Sequence, residues 1–171
     1  MVVLGIDPGL RFSGYSVIKE DKGTTFLIDC GYLALPQKKS IAHRLRLFHD
    51  FFDQKIQKKN ITDITIEIPF LGKNAQNFLK LGYLRGIVYL LSDLHEINLH
   101  EYSPREVKQA VTGFGGASKE QVARILLQLF PGLQKPKRED VTDALAVGLC
   151  GLWRKKNIQI NNTTYKDYKI T

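Results

Sequence analysis

Cysteine is scarce in this chain: Cys30 and Cys150 are the only two, 120 positions apart. They match no zinc or disulfide spacing, so the fold is not stapled, and a reduced, cytoplasmic setting is the simplest account. No apolar run approaches the roughly 20 residues needed to cross a membrane. There is no internal repeat, no low-complexity linker and no basic, cleavable leader pattern ahead of the first apolar stretch. Walker-type and kinase glycine signatures are missing, which argues against nucleotide-phosphate chemistry. Acids are the minority charge, 17 Asp plus Glu against 25 Lys plus Arg for a net of +8. A small basic domain of this kind is expected to meet nucleic acid. With 171 residues, 43% of them hydrophobic, the chain can build one domain with a full core.

The first stretch, Val2-Val3-Leu4-Gly5-Ile6-Asp7-Pro8-Gly9, is apolar on both faces of an extended segment, as a central strand would be. Pro8 and Gly9 end it just after Asp7. Asp7 is therefore expected where a central strand runs out, the edge at which open α/β sheets bind ligands. By itself it could equally be an Asp that starts a turn.

Two further strands, 12–19 and 24–35, are joined by the turn Asp21-Lys22-Gly23 and complete an antiparallel meander. Ser40 caps a helix with the core stripe Ile41, Leu45, Phe48, Phe52 and Ile56. His43 and His49 on that helix read as surface residues. The next strand, 63–69, carries Glu67 near its end, just before a proline, Pro69. A strand reached through a helical crossover runs parallel to the first, so Asp7 and Glu67 emerge at one edge if the two are neighbours.

A helix over 75–94 follows, with core positions Leu81, Leu84, Val88 and Leu91. Its Gly82 and Gly86 strip one face, for close helix packing or for a subunit interface. A fifth strand spans 97–102. The capping boxes Ser103-x-x-Glu106 and Ser118-x-x-Gln121 open two helices, the second with Val122, Ile125, Leu126 and Leu129 inward. Gly113-Phe114-Gly115-Gly116 reads as a flexible connector between them. The last helix starts near 137–138 and turns Val141, Ala144, Leu145, Gly148, Leu149 and Leu152 to the core. Asp140 and Asp143 share one of its faces. Asp140 alone could be a first-turn acid that suits the helix dipole, whereas Asp143 sits among apolar neighbours. The nuclease-sized unit is expected over 1–156. The polar, basic segment 157–171 is expected to be a mobile tail.

If the last helix packs beside the strand ends, Asp7, Glu67, Asp140 and Asp143 converge. Such a set of oxygen donors suits Mg²⁺, with Mn²⁺ able to substitute, and two ions about 4 Å apart would serve phosphodiester hydrolysis. Lys73, Asn74, Lys80 and Arg85 are phosphate-contact candidates in a basic surround.

The motifs Gly5-Ile6-Asp7-Pro8-Gly9, Gly14-Tyr15, Ile66-Glu67, Phe70, Lys73-Asn74-Ala75, Leu79-Lys80-Leu81-Gly82, Arg85-Gly86, Val107-Lys108-Gln109, Gly113 and Asp140-x-x-Asp143-Ala144-Leu145-Ala146 together resemble the RuvC family of Holliday junction resolvases. The resemblance is collinear from about residue 2 to 153. It implies an α/β, ribonuclease-H-like fold, a mixed five-stranded sheet with an antiparallel meander flanked by helices. It implies a Mg²⁺-dependent homodimer that makes symmetric nicks in a four-way DNA junction, leaving 5′-phosphate and 3′-hydroxyl ends, beside the RuvA–RuvB branch-migration complex. Carried over by position, Asp7, Glu67, Asp140 and Asp143 are the catalytic, metal-binding set. Phe70 is the aromatic that stacks at the junction, and Lys108 and Lys119 contact DNA. Ile68-Pro69 departs from the family pattern and stiffens the path to Phe70. Two alternatives remain at this point: a ribonuclease-H-type enzyme acting on RNA–DNA hybrids, and a non-catalytic DNA-binding module.

Overall fold

The computed structural model describes residues 1–69 and 75–166, with side chains described through residue 154. Ten elements follow in chain order: β1 (Val2–Asp7), β2 (Phe12–Asp21), β3 (Thr24–Ala34), α1 (Ile41–Lys59), β4 (Asp63–Glu67), α2 (Ala75–Leu94), β5 (Asn98–Tyr102), α3 (Pro104–Thr112), α4 (Lys119–Leu129) and α5 (Glu139–Lys166). The α5 backbone is therefore helical past residue 156, the expected domain boundary.

The sheet order is β3-β2-β1-β4-β5. β1, β2 and β3 form the antiparallel meander, and β4 and β5 run parallel to β1 and to each other. Lys22 and Gly23 both have positive φ, 48° and 86°, as a tight hairpin turn between β2 and β3 requires. The crossover through α1 makes β4 a parallel neighbour of β1. β1 thus lies at the centre, buried on both faces.

One face carries Leu4, Ile6, Ile64 and Ile66 against Phe48, Phe52 and Ile56 of α1 and Leu84, Val88 and Leu91 of α2. On the other, Val3 and Ile18 join a second core with Val107 and Val111 of α3, Val122 and Leu126 of α4, and the apolar face of α5. Leu129, expected to point inward, is exposed, and Phe130 just beyond the helix turns in instead. Both capping boxes form: the Ser103 and Ser118 side chains accept from the third backbone amide, and Glu106 and Gln121 reach back.

α5 approaches the sheet unusually closely, because glycines face it. A methyl carbon at Gly5 would lie 2.3 Å from the Ala144 carbonyl oxygen, and one at Gly14 would lie 1.9 Å from that of Asp140. From the helix side, a methyl at Gly148 would meet Ser16 Oγ at 2.7 Å. The Ser16 hydroxyl donates to the Ala144 carbonyl at 2.8 Å, a buried bond that fixes the height of α5 on the sheet.

Gly82 and Gly86 serve no such approach. Neither has an atom within 4 Å of a would-be methyl. The close-packing explanation for this pair does not hold among the described residues, where the glycines are exposed on the outer side of α2.

Candidate active site

Asp7 and Glu67 end β1 and β4. The register pairs Ile6 with Ile66, so the two acids stand one step beyond the last matched pair, level with each other. Strand alternation puts Asp7 on the face of Val3 and Gly5, and Glu67 on the face of Thr65. Both faces look at α5: Gly5 nearly touches Ala144, and a methyl at Gly151 would meet the Thr65 side chain at 2.1 Å. The first two turns of α5 bring Asp140 and Asp143 to the same edge. The pairing of Asp7 with Gly14, and the contact of Gly14 with the Asp140 backbone, close that corner.

The electrostatics reports this convergence. Burial, then the like charges of Asp143, Asp140 and Glu67, push the Asp7 carboxyl from 3.8 up to about 7, against a smaller opposing pull from Lys119. Burial and then Asp143 also raise Glu67, while Lys119 and Lys108 draw it back. Four carboxylates crowd one partly buried edge.

Two of the acids are turned to internal cations. Arg138 Nε donates to Asp140 Oδ2 at 2.9 Å, and its guanidinium carbon lies 3.4 Å from the centre of the Phe12 ring. Lys119 Nζ donates to Asp143 Oδ2 at 3.1 Å and to Glu139 Oε2 at 3.2 Å. Burial works against the Lys119 ammonium, but the bonds to Asp143 and Glu139 outweigh it and hold the proton well above the ordinary lysine range. With their side chains so engaged, no three His, Cys, Asp or Glu side chains form a ready cage among the described residues. The donor set itself is all carboxylate oxygen, the chemistry of a hard divalent cation.

The sequence-derived residues divide as follows. Asp7, Glu67, Asp140, Asp143 and Lys119 come together, and Lys108 lies close enough to lower Glu67. Lys80 is exposed on α2. Arg85 is only 13% exposed and is committed within the protein: Nη1 donates to the Glu67 carbonyl at 2.7 Å, and Nη2 pairs with Glu101. It is a strut that holds the end of β4 between α2 and β5 rather than a free phosphate contact. Phe70, Lys73 and Asn74 lie outside the described residues. Arg138 was not singled out from the sequence, since a basic residue two before Asp140 looks like any loop cation. A cleft of about 620 Å³, lined by Arg11, Phe12, Asn77, Arg138 and Asp140 among others, flanks the acids on that side.

A central β1 with a parallel β4 beside it, a meander on its other flank and acids gathered where α5 crosses the strand ends define a nuclease of the ribonuclease-H-like class. The model of the crossover junction endodeoxyribonuclease RuvC family matches residues 3–151, and the chain belongs to that family. It is a hydrolytic endonuclease of Holliday junctions.

The crossover junction endodeoxyribonuclease RuvC of Chlorobium phaeobacteroides is 43% identical over 157 residues, 92% of this chain and 84% of the relative. Among solved structures, Thermus thermophilus RuvC superposes with a TM-score of 0.83 at 26% identity, covering 91% of this chain and 96% of that one. The same organism's RuvC in complex with a Holliday junction substrate gives 0.85 at 24% identity, covering 91% and 94%. The second of these speaks for the fold alone.

Proposed function

We propose that Asp7, Glu67, Asp140 and Asp143 are the catalytic carboxylates of a Mg²⁺-dependent resolvase that acts as a homodimer. It would cut opposing strands of a four-way junction symmetrically, leaving 5′-phosphate and 3′-hydroxyl ends. The observation that carries this reading is the place of Asp7, partly buried at the end of the central strand, level with Glu67 and against the first turns of α5 that carry Asp140 and Asp143. Such a cluster is stable only with a proton or a cation in it, and the donors are all hard oxygen. Two Mg²⁺ ions, when bound, supply activation of the attacking water and stabilisation of the leaving oxygen. The four carboxylates hold them. Lys119 and Lys108 then face the phosphate, and Lys119, released from Asp143, is free to neutralise it. Lys80, Phe70, Lys73 and Asn74 extend the DNA contact in this reading.

The homodimer is supported by the outer side of α2. Leu79, Tyr83, Leu90 and Leu94 are exposed there on one stripe, with Gly82 and Gly86 between them. A junction with near-twofold symmetry is matched by two sites related by a twofold axis. Residues 1–156 carry the nuclease, and the basic segment 157–171 is an appendage. The chain works in the cytoplasm beside RuvA–RuvB. No described helix is long and apolar enough to cross a membrane.

The test is cleavage of a synthetic four-way junction with Mg²⁺ or with EDTA, beside a linear duplex and an RNA–DNA hybrid. Paired nicks in the junction alone, abolished by EDTA and by Glu67→Gln with junction binding kept, are expected. Cutting of the hybrid, or loss of junction binding in Glu67→Gln, overturns the reading.

A further inference from the structure

The connector between α3 and α4 is not the flexible hinge its glycines suggest. Gly113 caps α3 in the left-handed region, φ +77°, with its amide donating to the Gln109 carbonyl at 2.9 Å. The Gln109 side chain then bridges the turn. Its Nε2 donates to the Gly113 carbonyl at 2.6 Å, and its Oε1 accepts from the Gly115 amide at 2.9 Å. Thr112 Oγ1 accepts from the Phe114 amide at 3.1 Å. The Phe114 carbonyl accepts from the amide of buried Ala117 at 3.1 Å. Four of the five amides from Gly113 to Ala117, and the carbonyls of Gly113 and Phe114, are hydrogen-bonded.

What this turn holds up is a ring. Phe114 is 64% exposed, more than any other large hydrophobic side chain among the described residues. The ring leans on Gly116, where a methyl would come within 2.7 Å of its Cζ. One side is thus seated on the turn and the rest is open to water. A singly exposed apolar residue needs no explanation, but one set on an ordered turn that joins the two helices carrying cations of the active edge does. Lys108 precedes it by six residues and Lys119 follows it by five. Lys119 binds Asp143, and both lysines pull on Glu67.

Resting on the junction reading above, we infer that Phe114 is a second stacking aromatic that takes an unpaired nucleobase of the junction while Lys108 and Lys119 hold the neighbouring phosphates. A π-face on a turn flanked in the chain by phosphate-binding cations is the chemistry of single-strand recognition, and it accepts any base. The turn is ordered before DNA arrives, so little conformational freedom is lost on contact. The sequence conceals this, because a Phe among three glycines reads as loop filler.

The test uses the full chain with EDTA, so that nothing is cut, and four-way junctions carrying 2-aminopurine at single positions around the crossover. Wild type is expected to change the fluorescence at one or more positions. Phe114→Ala should abolish the change at one of them and weaken junction binding about tenfold, the size of one lost base stack. Binding to linear duplex and the melting temperature should not move, and Phe114→Trp should restore both signals. If every 2-aminopurine response and the junction affinity of Phe114→Ala equal wild type, this proposal falls and the junction reading stands. If Phe114→Ala instead changes the sedimentation of the free protein, the ring is a subunit contact and the proposal falls. If wild type does not prefer the junction to the duplex, both readings fall together.

Discussion

Arg138 closes on Asp140, with Nε 2.9 Å from Oδ2, while its guanidinium lies over the Phe12 ring. The arginine thus engages the carboxylate that, in the proposed function, a divalent cation would use, and it is itself held in place by the aromatic. A partly exposed ion pair is worth up to ~1 kcal/mol and a cation–π contact about as much. Arg138→Ala should therefore raise Mg²⁺ affinity about fivefold by calorimetry, with Arg138→Lys in between. A fall in affinity would show that Arg138 orients Asp140 instead of competing for it.

Lys119 stands on the other side of the acids and ties Asp143 to Glu139. Lys119→Ala should weaken junction binding roughly tenfold at low salt, and the gap to wild type should narrow as salt rises, since the proposed phosphate contact is lost. A salt-independent loss would mark Lys119 as a structural bridge only.

Asp7 gives the pH dependence. Its carboxyl is raised from 3.8 to about 7, so between those values the folded protein holds a proton that the unfolded chain has lost. The sign follows: metal-free stability is greatest below the lower value and declines as pH rises through the upper one. Asp7→Asn should flatten that decline and stabilise the metal-free protein at pH 8 by on the order of 2 kcal/mol. Thermal melts in EDTA from pH 5 to 8 measure it. Mg²⁺ should recover the lost stability in wild type and not in the variant.

The strands, the parallel placement of β1 and β4 and the common edge of Asp7 and Glu67 were legible because alternation and crossover handedness are local rules. The two capping boxes were legible for the same reason. What the sequence could not reveal depends on which backbone faces which. Gly14 looks like any strand glycine until the Asp140 carbonyl is found against it. Gly82 and Gly86 looked like packing glycines, and among the described residues nothing lies within 4 Å of a methyl at either. Arg85 looked like a phosphate ligand and is engaged by Glu101 and the Glu67 carbonyl.

The stripe on α2 predicts the assembly. Leu90 is an exposed apolar residue opposite the buried Leu84, Val88 and Leu91. Leu90→Glu should convert the proposed homodimer to monomers in analytical ultracentrifugation without lowering the melting temperature of the monomer. The two nicks in one junction should then lose their coupling. An unchanged sedimentation coefficient would remove α2 from the interface.

The spacing between Asp7 and the two acids of α5 is set by glycine. A methyl at Gly14 would lie 1.9 Å from the Asp140 carbonyl oxygen, and backbone cannot yield as a side-chain tip can. Gly14→Ala must therefore push the first turn of α5 away from β2, carrying Asp140 with it. Overpacking of this kind costs about 1–3 kcal/mol. A shift of about 1 Å at a reacting group can cost ~100-fold in rate. Single-turnover junction cleavage should accordingly fall by more than the loss of folded protein explains, with Mg²⁺ affinity falling alongside it. Gly132→Ala, where nothing lies within 4 Å, is the control and should leave melting and cleavage at wild-type values. Equal activity per folded molecule in Gly14→Ala and Gly132→Ala would mean that the acids tolerate the displacement, and that the close approach of α5 serves packing alone.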